Sequence, residues 1–144
     1  MKTQNFASHG RIIPMYHGVL FFLIFLSFIG SCVNLYISWS DHARFYSASL
    51  LVAVFICLGF LFVFARRFGL MAQDRAIRAE ENLRHFAVTG RLLDSRLTIR
   101  QIIGLRFAGD DEFVALAKRA ADEKLSENDI KKAVKNWRAD HDRV

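Results

Sequence analysis

The sequence predicts an all-α membrane protein: a two-helix transmembrane hairpin whose second helix extends into the cytoplasm, followed by a small bundle of about three short helices. Three observations carry that expectation. No Asp, Glu, Lys or Arg occurs from Ile12 to Ser40, and none occurs from Phe45 to Ala65. From Arg66 onward, 79 residues hold 17 basic and 13 acidic side chains. In a chain of 144 residues with one proline and two cysteines, this segregation excludes an ordinary soluble domain, a disordered tail and a disulfide scaffold.

The expected order begins with a cytoplasmic segment, residues 1–18. The first span covers 19–39, an outer loop 40–44 and the second span 45–65. A cytoplasmic helical extension covers 66–88 and a small helical subdomain 89–144. Each span supplies 21 residues, and about 20 apolar residues cross a hydrocarbon core of roughly 30 Å. Both are apolar around the whole helix, unlike a surface helix of a soluble domain. Nine of the fourteen phenylalanines fall in them, and Trp39, Tyr46 and Tyr16 lie where interfacial anchors belong.

The loop holds Asp41 and Arg44, whereas Lys2, Arg11, Arg66, Arg67, Arg75 and Arg78 lie on the other side. The positive-inside bias therefore puts both termini in the cytoplasm, with Arg66 and Arg67 among lipid headgroups. A lipoprotein signal ending at Cys32 is the competing reading of the first span. The apolar run continues through Val33, Leu35, Tyr36, Ile37 and Trp39, where a cleaved lipoprotein turns polar.

Small residues at four-residue steps suggest where the spans touch: Ser27, Gly30, Ser31, Asn34 and Ser38 on the first, and Ser49, Ala53 and Cys57 on the second. Small side chains let helices approach, and Ser or Asn can bond across. No charged side chain sits mid-span, so an ion or proton pathway has no candidate. Cys32 and Cys57 differ in depth by about 7 Å of helical rise, which argues against a bridge.

The catalytic inventory is empty. No Gly-rich phosphate loop, HExxH or GxSxG occurs. His9, His17, His42, His85 and His141 show no metal-ligand spacing, and neither cysteine has a CxxC partner. No cofactor or metal is expected; haem or quinone contact through His17 is the residual alternative.

After the second span, Asp74 and Arg78, and Glu80 and Arg84, form acid-before-base pairs at the four-residue step, and Glu81 can approach His85. Ala65, Gly69, Ala72, Ala76, Ala79, Leu83 and Phe86 repeat at 4-3 spacing, the seam of a coiled coil built mainly from small residues. Either alanines recur there by accident, or the seam meets a helix of a larger complex or of another copy. Thr89-Gly90 breaks the helix. Thr98 with Gln101 is a capping box for Ile99, Ile102, Ile103 and Phe107. Gly109 ends that helix and Asp110 caps one carrying Phe113, Leu116, Ala117, Ala120 and Ala121. Ser126 with Asp129 caps the last, whose Ile130, Ala133, Val134 and Trp137 follow i, i+3, i+4, i+7.

Two stretches carry a resemblance. Gln73-Asp74-Arg75-Ala76-Ile77-Arg78-Ala79-Glu80-Glu81-Asn82-Leu83-Arg84 and the ending from Asp129 to Asp140 with Arg143-Val144 resemble an uncharacterised family of small bacterial two-span membrane proteins. Leu105 to Glu112 is similar to its middle segment. Arg91-Leu92-Leu93 departs from the proline-containing segment of that family. The resemblance implies an inner-membrane protein with no assigned activity.

The functional expectation is a non-catalytic accessory subunit or adaptor that meets lipid and a larger membrane complex or its own copy. The alternative is a membrane-tethered nucleic-acid binder reading through Lys131, Lys132, Lys135, Asn136 and Arg138. Charge disfavours it, because residues 107–144 hold eight basic and nine acidic side chains.

Overall fold

The computed structural model describes residues 12–140 together with Phe6. Lys2, His9, Arg11, His141, Arg143 and Val144 lie outside the described residues. All regular elements among the described residues are helical. A π-helical stretch, Met15–Leu20, opens behind Pro14 and runs into α1 (Phe21–Ile37). Then follow α2 (His42–Thr89), α3 (Ile99–Leu105), α4 (Asp110–Asp122) and α5 (Glu127–Ala133). The chain divides into two compact units, Ile12–Gly69 and one containing residues 70–140, and α2 contributes to both.

The helices Met15–Ile37 and His42–Thr89 are each long and apolar enough to cross a membrane. The second helix starts before the apolar run because Asp41 caps it. The Asp41 Oδ1 accepts from the backbone N–H of Ala43 at 3.1 Å and of Arg44 at 3.2 Å. Antiparallel packing is fixed at both ends by aromatic pairs. Tyr16 stacks on Phe62 with ring centroids 4.3 Å apart and its hydroxyl donates to the Phe62 carbonyl. Trp39 meets Phe45 edge to face at 5.3 Å.

The second unit packs α3, α4 and α5 around Leu105, Phe107, Phe113 and Ile130, with Ile77 of α2 in the same core. The capping box at Thr98 forms as the sequence predicts: the Thr98 side chain accepts from the Gln101 N–H and the Gln101 side chain accepts from the Thr98 N–H. Gln101 is buried, and its amide nitrogen donates to the carbonyls of Ala120 and Leu125, each at 3.0 Å. This one residue caps α3 and ties it to the last turn of α4 and the turn beyond.

Three local expectations are corrected. Gly109, not Asp110, occupies the N-cap of α4, without a side-chain cap, because the Asp110 carboxylate is turned to Arg84. Phe107 lies beyond the end of α3 at Leu105, yet is fully buried. Ser126 caps α5 as expected, but the helix ends at Ala133 and Val134 is extended, so Trp137 does not lie on it. Trp137 instead bridges to Ala108, and its ring packs on Phe107 with centroids 4.8 Å apart.

Gly90 has φ 72° and ends α2 with a bond from its N–H to the Phe86 carbonyl at 2.7 Å. Beyond it, Asn82 Oδ1 accepts from the Leu93 N–H at 3.2 Å and His85 Nδ1 lies 2.7 Å from the Arg91 carbonyl. The two-carboxylate contact of Arg96 with Asp94 and Asp122 joins this connection to α4, and its hydrogen bonds hold the Asp94 carboxyl down at about 2.

Gly104 lies where α3 and α5 approach closely. A Cβ there would lie 3.1 Å from the Glu127 carbonyl oxygen and 3.2 Å from Ile130. Gly104→Val should therefore destabilise the second unit by about 1–3 kcal/mol. Gly30→Ala, where nothing lies within 4 Å, should be nearly neutral. Thermal unfolding of the detergent-solubilised chains, followed by tryptophan fluorescence, compares them.

Candidate functional site

The residues most able to meet another molecule lie on the part of α2 belonging to the second unit. A helix turns about 100° per residue, so one side cannot carry both Ile77 and Ala79. Ile77 and Glu81 are buried, and the side chain of Arg84 is largely so, against α3–α5. Ala72, Ala76, Ala79, Leu83 and Phe86 are all exposed on the opposite side. Five of the seven predicted seam residues thus form one face that the second unit leaves uncovered. Ala65 is exposed and Gly69 half-buried, both in the first unit.

The covered side is held by a buried guanidinium that the sequence does not announce. Arg84 Nε donates to Asp110 Oδ1 at 2.7 Å, Nη1 to Glu81 Oε2 at 3.1 Å and Nη2 to the Ala108 carbonyl at 2.7 Å. Its carbon lies 4.1 Å from the centre of the Phe113 ring. The predicted partner, Glu80, is therefore replaced by Glu81 and Asp110. Glu81 faces Arg84 rather than His85, with Arg138 at 3.9 Å from its other oxygen. Asp110 lies 26 residues from Arg84 in sequence, and no local spacing rule reaches that far. A weaker signal was legible: Glu80 and Glu81 both precede Arg84 at helical distances.

The other predicted site residues are distributed as follows. In the first unit the less exposed positions of α1 and its C-cap are Ile24, Phe28, Ser31, Leu35 and Ser38, and those of α2 include Phe45, Ala48, Val52, Phe55, Gly59 and Phe62. Ser31 is among these positions and Ser49 beside them. Ser27, Gly30, Asn34, Ala53 and Cys57 are exposed. A row at four-residue steps drifts about 40° per step, whereas alternating 3-4 steps stay on one side. The less exposed face follows the second pattern; its buried positions are the small residues Ser31, Ser38 and Ala48, with Phe28, Phe45, Phe55 and Phe62 half-buried among them. Nor do the serines bond across: Ser31 donates to Phe28 O and Ser49 to Tyr46 O, each at 2.7 Å within its own helix. Arg66 is half-buried and Arg67 exposed.

His17 Nδ1 lies 3.1 Å from the backbone N and O of Ile13, which engages one of its ring nitrogens. Among the described residues no group of three or more His, Cys, Asp or Glu side chains could hold a metal ion. The five residues of the alternative nucleic-acid face do not share a helix. Only Lys131 and Lys132 are on α5. Lys131 is buried and its ammonium donates to Glu127 at 2.6 Å, while Asn136 bonds Asp111 and Glu112.

The fold and this site define a class: an all-helical chain pairing two apolar helices with a small charged helical unit. The chain belongs to a family of unknown function (DUF6526), matched over residues 1–144. No curated protein and no solved structure matches it.

The buried ion pair makes two measurable demands. Arg84 and Glu81 side chains are 10% and 6% exposed, so Arg84→Met should cost about 3–5 kcal/mol by leaving Glu81 without its near partner. Arg84→Lys should recover only part, since an ammonium cannot reach three acceptors in one plane. Burial pushes the Glu81 carboxyl above the ordinary range, against the pull of Arg84 and Arg138. The folded state then holds this proton more tightly than the unfolded chain. The Glu81 contribution to stability is accordingly greatest at low pH and is lost as pH rises from the ordinary carboxylate range through the folded value. Glu81→Gln should flatten that segment of the stability–pH curve, measured by thermal unfolding from about pH 4 upward, the ordinary carboxylate range.

Proposed function

We propose that the protein is a non-catalytic accessory subunit or adaptor of the bacterial inner membrane. Its two apolar helices form an anchor with both termini in the cytoplasm, and residues 66–144 present α2 and the small helical unit to a larger membrane complex or another copy of the chain. The observation that carries this reading is the uncovered face of Ala72, Ala76, Ala79, Leu83 and Phe86, opposite a face already occupied by the protein's own core.

The anchor rests on exposure as well as composition. The most apolar 18-residue windows of the two helices have mean hydropathies of 2.2 and 2.8, yet only 6% of either window is buried. A core helix of a soluble protein would hide such residues; here Phe22, Leu26, Phe60 and Leu61 stay outside. Lipid is the solvent that makes this arrangement favourable. Orientation rests on arginine, with Arg44 balanced by Asp41 at 3.3 Å in the short connection and Arg66, Arg67, Arg75 and Arg78 after the second apolar stretch.

Two experiments test the reading. A reporter active only outside the cytoplasm should be active when fused after His42 and silent when fused after Val144; the reverse pattern would overturn the orientation. Extraction in mild detergent followed by native mass measurement should give a species heavier than one chain. Ala76→Leu should reduce that species by roughly tenfold, through about 1–3 kcal/mol of overpacking. Arg78→Ala, off the face, should leave it unchanged.

A further inference from the structure

The uncovered face of α2 carries enough chemistry to name its occupant. Within the second unit its apolar positions are Ala72, Ala76, Ala79, Leu83 and Phe86, at spacings of 4, 3, 4 and 3. In heptad terms, Ala72, Ala79 and Phe86 are d positions and Ala76 and Leu83 are a positions. The positions that flank such a seam, e and g, decide which helix can lie against it. Here Arg75 is a g position and Glu80 is the e position of the next heptad. Both are exposed, and neither has an ion-pair partner among the described residues. The acid-before-base pairing that would have used Glu80 is prevented, because Arg84 is committed to Glu81, Asp110 and Ala108.

We propose that the occupant is the same face of a second copy, packed in parallel and in register. This deepens the adaptor reading and rests on it, because two chains anchored in one membrane in one orientation can meet only in parallel along this segment. In a parallel pair each g residue faces the e residue five positions on in the other chain. Arg75 of each copy then meets Glu80 of the other, twice by symmetry. The remaining flanking pair within the unit, Asn82 with Ala87, is uncharged, so no like charges are opposed. The alanines permit close backbone approach, while Leu83 and Phe86, 68% and 51% exposed, supply apolar area at the end farther from the apolar stretch. The helices α3–α5 do not obstruct the pairing, since they cover the side of Ile77, about 200° around from Ala79.

The test uses full-length protein in native membranes, with Cys32 and Cys57 replaced by alanine so that a single introduced thiol reports. Ala72→Cys and Ala79→Cys should each form a disulfide-linked product of twice the chain mass under mild oxidation; Arg78→Cys, pointing away, should not. Arg75→Glu or Glu80→Arg in the Ala79→Cys background opposes like charges twice and should lower the yield by about tenfold. The double exchange, with both substitutions in one chain, should restore it. A dimer indifferent to both reversals would overturn the register. A crosslinked product of another mass would overturn self-pairing while leaving the adaptor reading in place. No product at Ala72 or Ala79, with a monomeric mass in detergent, would overturn both.

Discussion

A guanidinium whose side chain is only 10% exposed must find its partners inside the protein, and Arg84 does so with groups brought from two regions of the chain. Glu81 comes from the same helix; Asp110 comes from the start of α4 and the Ala108 carbonyl from just before it. Each bond restricts the others, because the five N–H groups lie in one plane. That geometry fixes which side of α2 faces Phe113 and hence which side is left over. The uncovered alanine face is therefore a consequence of where Arg84 is held.

A unit built on α3, α4 and α5 is small, and helices of 7, 13 and 7 residues are too short to be stable alone. Their stability comes from packing against one another and against Ile77. Polar groups inside the unit do more than fill space. Gln101 bonds the carbonyls of Ala120 in α4 and of Leu125 beyond it while capping α3, and Asn82 and His85 meet the backbone of the connection that follows Gly90. The connection Gly90–Thr98 is short of regular structure but not of partners. Breaking the Arg84 contacts removes one of the few ties between α2 and this assembly that is not simple apolar contact.

Much of this was legible in the sequence, for identifiable reasons. The two apolar helices follow from uninterrupted runs without charge. Thr98 with Gln101 and Ser126 with Asp129 are local rules, and both caps form. What failed depended on distance in sequence. Asp110 reads as a cap by position, but a residue 26 positions away claims it. Trp137 fits the helical period of Ile130 and Ala133, but the chain extends at Val134 so that the ring can reach Phe107. In the apolar pair, residue size was a partial guide. Ser31, Ser38 and Ala48 are small and buried, whereas Ser27, Gly30 and Asn34 are exposed and Phe28, Phe55 and Phe62 are half-buried. The alanine face was legible as a spacing; that it lies opposite the covered side was not, because that depends on Arg84.

The central claim is that α2 is covered on both sides in the membrane, by its own unit on one and by another helix on the other. Accessibility to a charged maleimide in permeabilised cells measures this directly, with single cysteines at Met71, Ala72, Ala76, Arg78, Ala79 and Leu83 in a chain lacking Cys32 and Cys57. The account predicts fast labelling at Met71 and Arg78 and protection at Ala72, Ala76, Ala79 and Leu83. Labelling of those four as fast as Arg78 would contradict it.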